Sequence, residues 1–176
     1  MAQIDDFKAN LIGGGYRTNQ FRVTITPPPG ISIGLDVRRT SFLCKGTTLP
    51  AITIAPLPIS YRGRQIQIAG DRDTSGTWDT EFYMDTDFMI MNALQRWSNG
   101  INNMTDGEGL TNPADYKVDA FVDQLDRNGA TIKSYTLRGA YPIDVAAIEL
   151  DYGNNDTIEE FQVTFNYQYF ESNTTT

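Results

Sequence analysis

Histidine is absent from the 176-residue chain, and cysteine occurs once, at Cys44. Without imidazole there is no Ser-His-Asp triad, no Cys-His pair and no histidine-ligated zinc or iron, so any catalysis must rest on carboxylates, lysine or tyrosine. A single cysteine cannot build an internal disulfide framework and suits a reducing compartment. With no base to activate it, Cys44 reads as a small buried apolar residue rather than a nucleophile. No apolar run approaches the roughly 20 residues that a membrane helix needs. The N-terminal stretch MAQIDDFKANLIGGGYR has no basic region leading into an apolar one, so the expectation is a cytoplasmic protein without a cleaved signal. Cations are also scarce: 14 Lys and Arg against 22 Asp and Glu leave a net charge of −8. That balance excludes a protein that grips nucleic acid by its phosphates, and it suits a surface that nucleic acid must pass without sticking.

What is present points to strands. A chain of this length suits one domain, residues 1–176, burying roughly 70% of its unfolded surface, and 40% apolar content makes it globular. Residues 1–19, with Gly13-Gly14-Gly15, read as a flexible N-terminal segment; no Gly-Lys-Ser/Thr or Gly-x-Gly-x-x-Gly pattern makes them a phosphate cradle. QFRVTIT (20–26) alternates and stops at three prolines. SFLCKGTTLP (41–50) is a second short strand, and the prolines at 50, 56 and 58 make residues 46–64 an extended arm or edge segment. QIQIAG follows as a strand, then GTWDTEFYM, whose Trp78, Thr80, Phe82 and Met84 share a face. One helix is expected, capped at Asp85 or Thr86, with Asp87 in its first turn, Ile90, Leu94 and Trp97 on one stripe and Gly100 as its stop. Residues 98–115 are turn formers.

The second half carries a hairpin whose register can be worked out by arithmetic. Asn128-Gly129 as a two-residue type I′ turn places Arg127 opposite Ala130, Val122 opposite Tyr135 and Ala120 opposite Leu137, with the apolar residues on one face. AAIELDY (146–152) reads as a strand leading into the turn Gly153–Asp156. In the last strand Phe161, Val163, Phe165, Tyr167 and Tyr169 alternate with Glu160, Gln162, Thr164, Asn166 and Gln168, which gives one core face and one wet face without positive charge. Residues 171–176 remain as a tail. Seven or eight strands with one packed helix indicate a mainly β fold, an antiparallel barrel or sandwich.

Several clusters could carry chemistry, and each has a plainer reading. Asp71, Asp73, Ser75, Gly76 and Asp79 fall at the first, third, fifth, sixth and ninth places of a calcium loop. The twelfth place, where a bidentate Glu belongs, is Phe82, and the flanks are strands, so Asp71 and Arg72 suit a structural turn or a subunit contact better. Glu159-Glu160 and the set Asp119, Asp123 and Asp126 offer acid and base pairs for glycoside chemistry, as any acidic β protein does. Tyr61-Arg62-Gly63-Arg64 is the densest basic spot, too small for nucleic acid and better suited to carboxylates in the fold or on a neighbour. No residue set calls for a metal or cofactor. The proline-rich arm, the flexible ends and a strand polar along one whole face suit contacts with copies of the same chain.

The run FLCKGTTLP (42–50), YRGRQIQIAGDRD followed by Trp78, the segment Asp85 to Trp97, then Tyr116, LRGAYPIDVAAIELDYGNND and Phe161-Gln162-Val163 resembles the tail tube proteins of contractile-tailed bacteriophages. The resemblance covers about residues 20–170, apart from TPPPGISIGLDVRRT (26–40), which is longer than the family's usual connection, and the terminal ESNTTT. It implies a β-barrel-like domain with one helix, assembled as six-membered rings stacked into a hollow tube inside a contractile sheath, and no enzyme activity. The implied partners are other copies, the sheath protein, baseplate tube-initiating proteins, the tape-measure protein and the tail terminator, with DNA passing through unbound. The implied location is the virion tail, after assembly in the host cytoplasm. By the same resemblance the arm lies at the junction between rings, through Leu49, Pro50, Pro56, Pro58, Tyr61, Arg62 and Arg64. The polar residues Asp119, Asp123, Glu160, Gln162, Thr164 and Asn166 are expected on the lumen wall, where few cations should meet a polyanion. The rival readings are a tube subunit of a type VI secretion or contractile bacteriocin system, and a calcium-binding or carboxylate-dependent β protein.

Overall fold

In a computed structural model of the chain, which describes residues 4–74 and 76–175, the last long strand is the centre of the architecture. This strand, β8 (Glu160–Tyr167), pairs along its whole length with β5 (Gly76–Tyr83), from Gly76↔Tyr167 to Tyr83↔Glu160. On its other side it pairs with the end of β7 (Thr131–Val145), from Tyr141↔Asn166 to Val145↔Val163. The earlier part of β7 pairs with β6 (Val118–Leu125), and β6 pairs with β1 (Phe21–Ile25). With β2 (Cys44–Thr47) beyond β5, the order is β1-β6-β7-β8-β5-β2, antiparallel at every ladder, and β9 (Tyr169–Ser172) adds to β7. β3 (Thr53–Tyr61) and β4 (Arg64–Asp73) form a separate two-stranded sheet. Among the described residues β1 and β2 do not pair with each other, so the sheet curls into a sandwich-like form without closing as a barrel.

The buried set follows from alternation. Trp78, Thr80 and Phe82 of β5, Val118, Ala120 and Val122 of β6, and Phe161, Val163, Phe165 and Tyr167 of β8 are buried, and Met84 packs against their edge. Helix α3 (Met89–Ile101) lays Ile90, Met91, Ala93, Leu94 and Trp97 into this core. Phe165 is the hub, with ring centroids 5.2 Å from Trp78 and 6.1 Å from Trp97. Both indoles keep their polar N–H satisfied: Trp78 Nε1 donates to Thr47 Oγ1 at 2.8 Å and Trp97 Nε1 to the Tyr116 carbonyl at 2.9 Å.

Elsewhere the structure departs from the sequence expectations. α3 begins at Met89, after Phe88 in a left-handed conformation (φ 53°), so neither Asp85 nor Thr86 is the N-cap; Arg39 holds Asp85 and Asp87, and Asp87 Oδ1 also accepts the Met89 amide at 3.4 Å. The Arg39 hydrogen bond also holds the Asp87 carboxyl below its ordinary range. Gly100 lies inside α3 and does not end it; a Cβ there would come within 2.6 Å of Ile31 Cδ1, so glycine is needed for close packing. Residues 41–43, expected as strand, end helix α2 (Val37–Leu43), which Asp36 starts by accepting from the Arg38 and Arg39 amides. Two further short helices, α1 (Ile4–Asn10) and α4 (Pro113–Tyr116), contribute nothing fully buried, whereas α2 buries Thr40 and packs Leu43 on the core, so the one packed helix expected is joined by a second, shorter one. The long connection 26–40 is no surface insertion: Ile33 is buried, and the Gly30 amide donates to the Asp115 carbonyl at 2.9 Å.

The hairpin register holds at Val122↔Tyr135 and Ala120↔Leu137, yet the turn is not type I′. Gly129, at φ 80°, donates to the Asp126 carbonyl at 2.8 Å and closes a three-residue loop that shifts the strands by one. An irregularity at Leu125↔Thr131, which skips Ile132, shifts them back. AAIELDY is not a strand: β7 ends at Val145, and residues 146–152 have no ladder partner among the described residues. The last strand breaks at Gln168, opposite Gly139 (φ 66°), so Tyr169 turns outward, Phe170 inward, and Ser172 of the expected tail is buried. Residues 1–3, Ser75 and Thr176 lie outside the described residues, and with Ser75 lies the fifth place of the suspected calcium loop.

Truncating the hub tests this architecture. Phe165→Ala should lower unfolding stability by about 3–5 kcal/mol, the usual cost of an aromatic removed from a close-packed core. Urea unfolding followed by tryptophan fluorescence would measure it.

Candidate assembly surfaces

The β3–β4 hairpin projects from the body with all nine residues of β3 exposed, and all of β4 except Gly70 exposed as well. Tyr61↔Arg64 leaves a two-residue turn, Arg62-Gly63, with φ of 47° and 78°, the double positive φ of a type I′ turn. Every strand of a two-stranded ladder is an edge strand, which is why β3 tolerates Pro56 and Pro58. The register Leu57↔Ile68, Ile59↔Ile66 and Tyr61↔Arg64 puts Leu57, Ile59, Ile66 and Ile68 on one face. Each is between 42% and 53% exposed, in a ladder that on its own is marginal in water. Pro56, Pro58, Ser60, Gln65 and Gln67 take the other face, and the Arg62 guanidinium lies 5.3 Å from the Tyr61 ring centroid.

The expected arm, 46–64, is therefore divided. Gly46 and Thr47 belong to the body through Glu81 and Thr80, Leu49 and Pro50 lie in the lead to β3, and only 53–64 is arm. The arm's other half, β4, escaped the sequence reading as part of this surface. Its signal was the alternation QIQIA mirrored against Leu57-x-Ile59-x-Tyr61 about Arg62-Gly63. Asp71 and Arg72 sit in β4, opposite the start of β3, rather than in a turn, which corrects the turn half of their expected role.

A second surface is the sheet face turned away from α3. Across the β5–β8 ladder Thr77, Asp79 and Glu81 stand opposite Asn166, Thr164 and Gln162, and Tyr83 opposite Glu160. The β6–β7 ladder puts Asp123 opposite Ser134 on the same non-core parity as Asp119 and Arg138. Asp119 and Asp123 thus point away from the core in the β6–β7 ladder, and Glu160, Gln162, Thr164 and Asn166 do so in the β5–β8 ladder, but no hydrogen bond or ion pair among the described residues joins the two sets. The carboxylates there are engaged. Lys45 joins Glu160 and, at 3.3 Å, Glu81. Arg138 joins Asp119 at 2.6 Å and Glu171 at 3.0 Å. Thr164 donates to Asp79 at 2.7 Å and Ser134 to Asp123 at 2.7 Å. Hydrogen bonding to Glu160 raises the affinity of Lys45 for its proton, as that to Asp119 does for Arg138. Each cation sits between two carboxylates, so each cluster is left with one excess negative charge.

The remaining candidates separate. Asp71 and Asp73 lie on a strand and Asp79 on another, bound to Thr164, and among the described residues no three carboxylates come together as a metal site. Glu160, Asp119 and Asp123 each answer to a different partner, and Asp126 accepts the Arg127 amide in the β6–β7 turn.

An exposed hairpin with an apolar face leaves this β-sandwich with a surface that suits contact with another molecule. The fold matches a chain of the sheath–tube complex of an extracellular contractile injection system in its extended state, with a TM-score of 0.58, 14% identity, and 94% of this chain and 95% of that one covered. It also matches a chain of the tube-terminating cap of the anti-feeding prophage, with a TM-score of 0.59, 18% identity and 89% of each chain covered. The family model for phage tail tube proteins matches residues 16–173. Tail tube protein gp19 of Enterobacteria phage T4 is 30% identical over 174 residues, covering 96% of this chain and 99% of the relative. The tail tube protein of Serratia phage KSP90 is 27% identical over 174 residues, covering 98% and 97%. The chain belongs to the phage tail tube protein family, whose members are structural components of the virion tail and not enzymes.

Cys44 offers a check on the body beside the hairpin. Cys44 is half-buried rather than buried as expected, and its partial removal from water pushes its thiol up to about 12, with the sulfur donating to the Gly46 carbonyl at 3.5 Å. At pH 8 only about one thiol in ten thousand is then ionised. The folded chain should react with a thiol reagent such as DTNB orders of magnitude more slowly than the urea-unfolded chain, and equal rates would contradict this burial.

Proposed function

We propose that copies of this chain form six-membered rings, that the rings stack into the hollow inner tube of a contractile phage tail, and that the tube conducts DNA inside the sheath. The observation that carries this reading is the apolar stripe of the β3–β4 hairpin, Leu57, Ile59, Ile66 and Ile68, which the described residues leave about half exposed. Water-exposed apolar area of this kind, held on a stiff arm, marks a contact with another molecule. In this reading the other molecule is the same subunit on the next ring, which membership of the tail tube family supports. Pro50, Pro56 and Pro58 with the tight Arg62-Gly63 turn reduce the freedom lost on docking.

In this reading Glu160, Gln162, Thr164 and Asn166 on the polar side of β8, with Asp119 and Asp123 of β6, contribute to the lumen wall. Neutralised phosphates add affinity in proportion to their number, so a wall whose Lys45 and Arg138 are already saturated by carboxylates exerts little drag on a polyanion. The sheath protein, the baseplate proteins that start the tube, the tape-measure protein and the tail terminator are the partners that such a tube meets, and assembly takes place in the bacterial cytoplasm. A type VI or bacteriocin tube would share the physics, but the curated relatives at 27–30% identity are phage proteins.

Negative-stain microscopy of the purified chain tests the reading: stacked rings or tubes are expected, and a dispersed monomer under every assembly condition would overturn it. Ile59→Asp combined with Ile66→Asp should leave a folded body and abolish stacking, since each buried carboxylate without a partner costs several kcal/mol. Tubes of normal length from this variant would remove the hairpin from the junction.

A further inference from the structure

We infer that the β3–β4 hairpin of one copy docks on the acidic, apolar segment 146–159 of a second copy, so that the chain joins head to tail. The inference rests on the tube reading above and names the surface that receives the hairpin.

Charge is unevenly distributed along the chain. Between Lys45 and Asp71 the only charged residues are Arg62 and Arg64, both at the hairpin tip, and after Arg138 there is no cation at all. The segment 146–159 contains Glu149, Asp151, Asp156 and Glu159, interleaved with Ile148, Leu150, Tyr152 and Ile158. Among the described residues no lysine or arginine forms an ion pair with these four acids. Leu150 is 86% and Ile158 65% exposed, although AAIELDY has a strand's composition and pattern. The segment doubles back into a groove of about 450 Å³ lined by Ile148, Glu149, Leu150, Asp151, Ile158 and Glu159. The hairpin offers the complement, an apolar stripe ending in two guanidinium groups. Arginine suits this role because its planar fork meets carboxylates bidentately.

The two surfaces lie at opposite ends of one ladder. The hairpin rejoins the body at Gly76, opposite Tyr167, whereas the segment enters it at Glu160, opposite Tyr83. Eight paired residues separate these ends by about 23 Å at the usual strand rise. Complementary patches at opposite poles make a heterologous contact, which propagates instead of closing as a dimer. The pattern left without a ladder partner at 146–152 then has a reason: Leu150 and Tyr152 face a neighbour, while Ile148 packs against the chain's own core.

Charge exchange tests the docking. Arg62→Glu with Arg64→Glu, and separately Glu149→Arg with Asp151→Arg, should each raise the concentration needed for sedimentable polymer by about tenfold or more. The four changes in one chain should restore polymer to near the wild-type level. Circular dichroism establishes that each variant is folded. If a reversal prevents folding, Arg62→Gln with Arg64→Gln replaces it; wild-type polymer should then decline with added NaCl, and the neutral variant should have lost that dependence. Wild-type tubes with unaffected exchange variants, or no restoration in the fourfold variant, would overturn the docking alone. Absence of polymer from the wild-type chain would overturn the tube reading and the docking with it.

Discussion

Strand β8 is the constraint on which the rest of the molecule depends. It is paired on both sides, so its register is fixed twice, and a slip of one residue would exchange its faces. One face puts Phe161, Val163, Phe165 and Tyr167 under α3; the other puts Glu160, Gln162, Thr164 and Asn166 into the polar surface. The same ladder sets the positions of the outlying parts, because the hairpin joins it at one end and segment 146–159 at the other. Two aromatic contacts on Phe165 and two satisfied indoles lock the core side, so the polar side and both projections are held by a rigid support.

Parts of this arrangement were legible in the sequence because they depend on alternation alone. Phe161 to Tyr167 and Trp78 to Phe82 needed only a period of two, and the Val122–Tyr135 pairing needed one apolar face on each strand. The pairing was right although its turn was wrong: the three-residue loop closed by Gly129 and the irregularity at Ile132 cancel. Burial of the apolar face thus overrode local turn preference. The parts not legible depend on distant residues. Arg39 pairs with Asp85 and Asp87 from 46 and 48 residues away, ahead of an α3 that starts only at Met89; Asp36 turns residues 37–43 helical before β2; Gly139 lets the last strand break at Gln168.

The surfaces show the same division. Pro56 and Pro58 announced an edge segment, but its length was misjudged, since only pairing shows that β4 belongs to the arm and that Gly46 and Thr47 do not. Asp119 and Glu160 were chosen from different strands on polarity, and the ladders put each on the side of its strand away from the core. Their partners Lys45 and Arg138 could not be read from the chain, because 115 residues separate Lys45 from Glu160. Asp71 and Arg72 show the reverse: proximity to glycine suggested a turn, and strand pairing made them part of the hairpin's base.

The stripe on the hairpin also bears on polymer length. In a stack joined through hairpins, every stripe is covered except those of one terminal layer, whatever the number of layers. The unfavourable exposure is therefore a constant per polymer, and per subunit it falls as the stack grows. Such a surface favours a few long polymers over many short ones, and it gives the two ends different chemistry: one apolar with arginine tips, the other acidic and grooved. A protein that stops growth must match whichever end it meets, and the two ends cannot share one stopper.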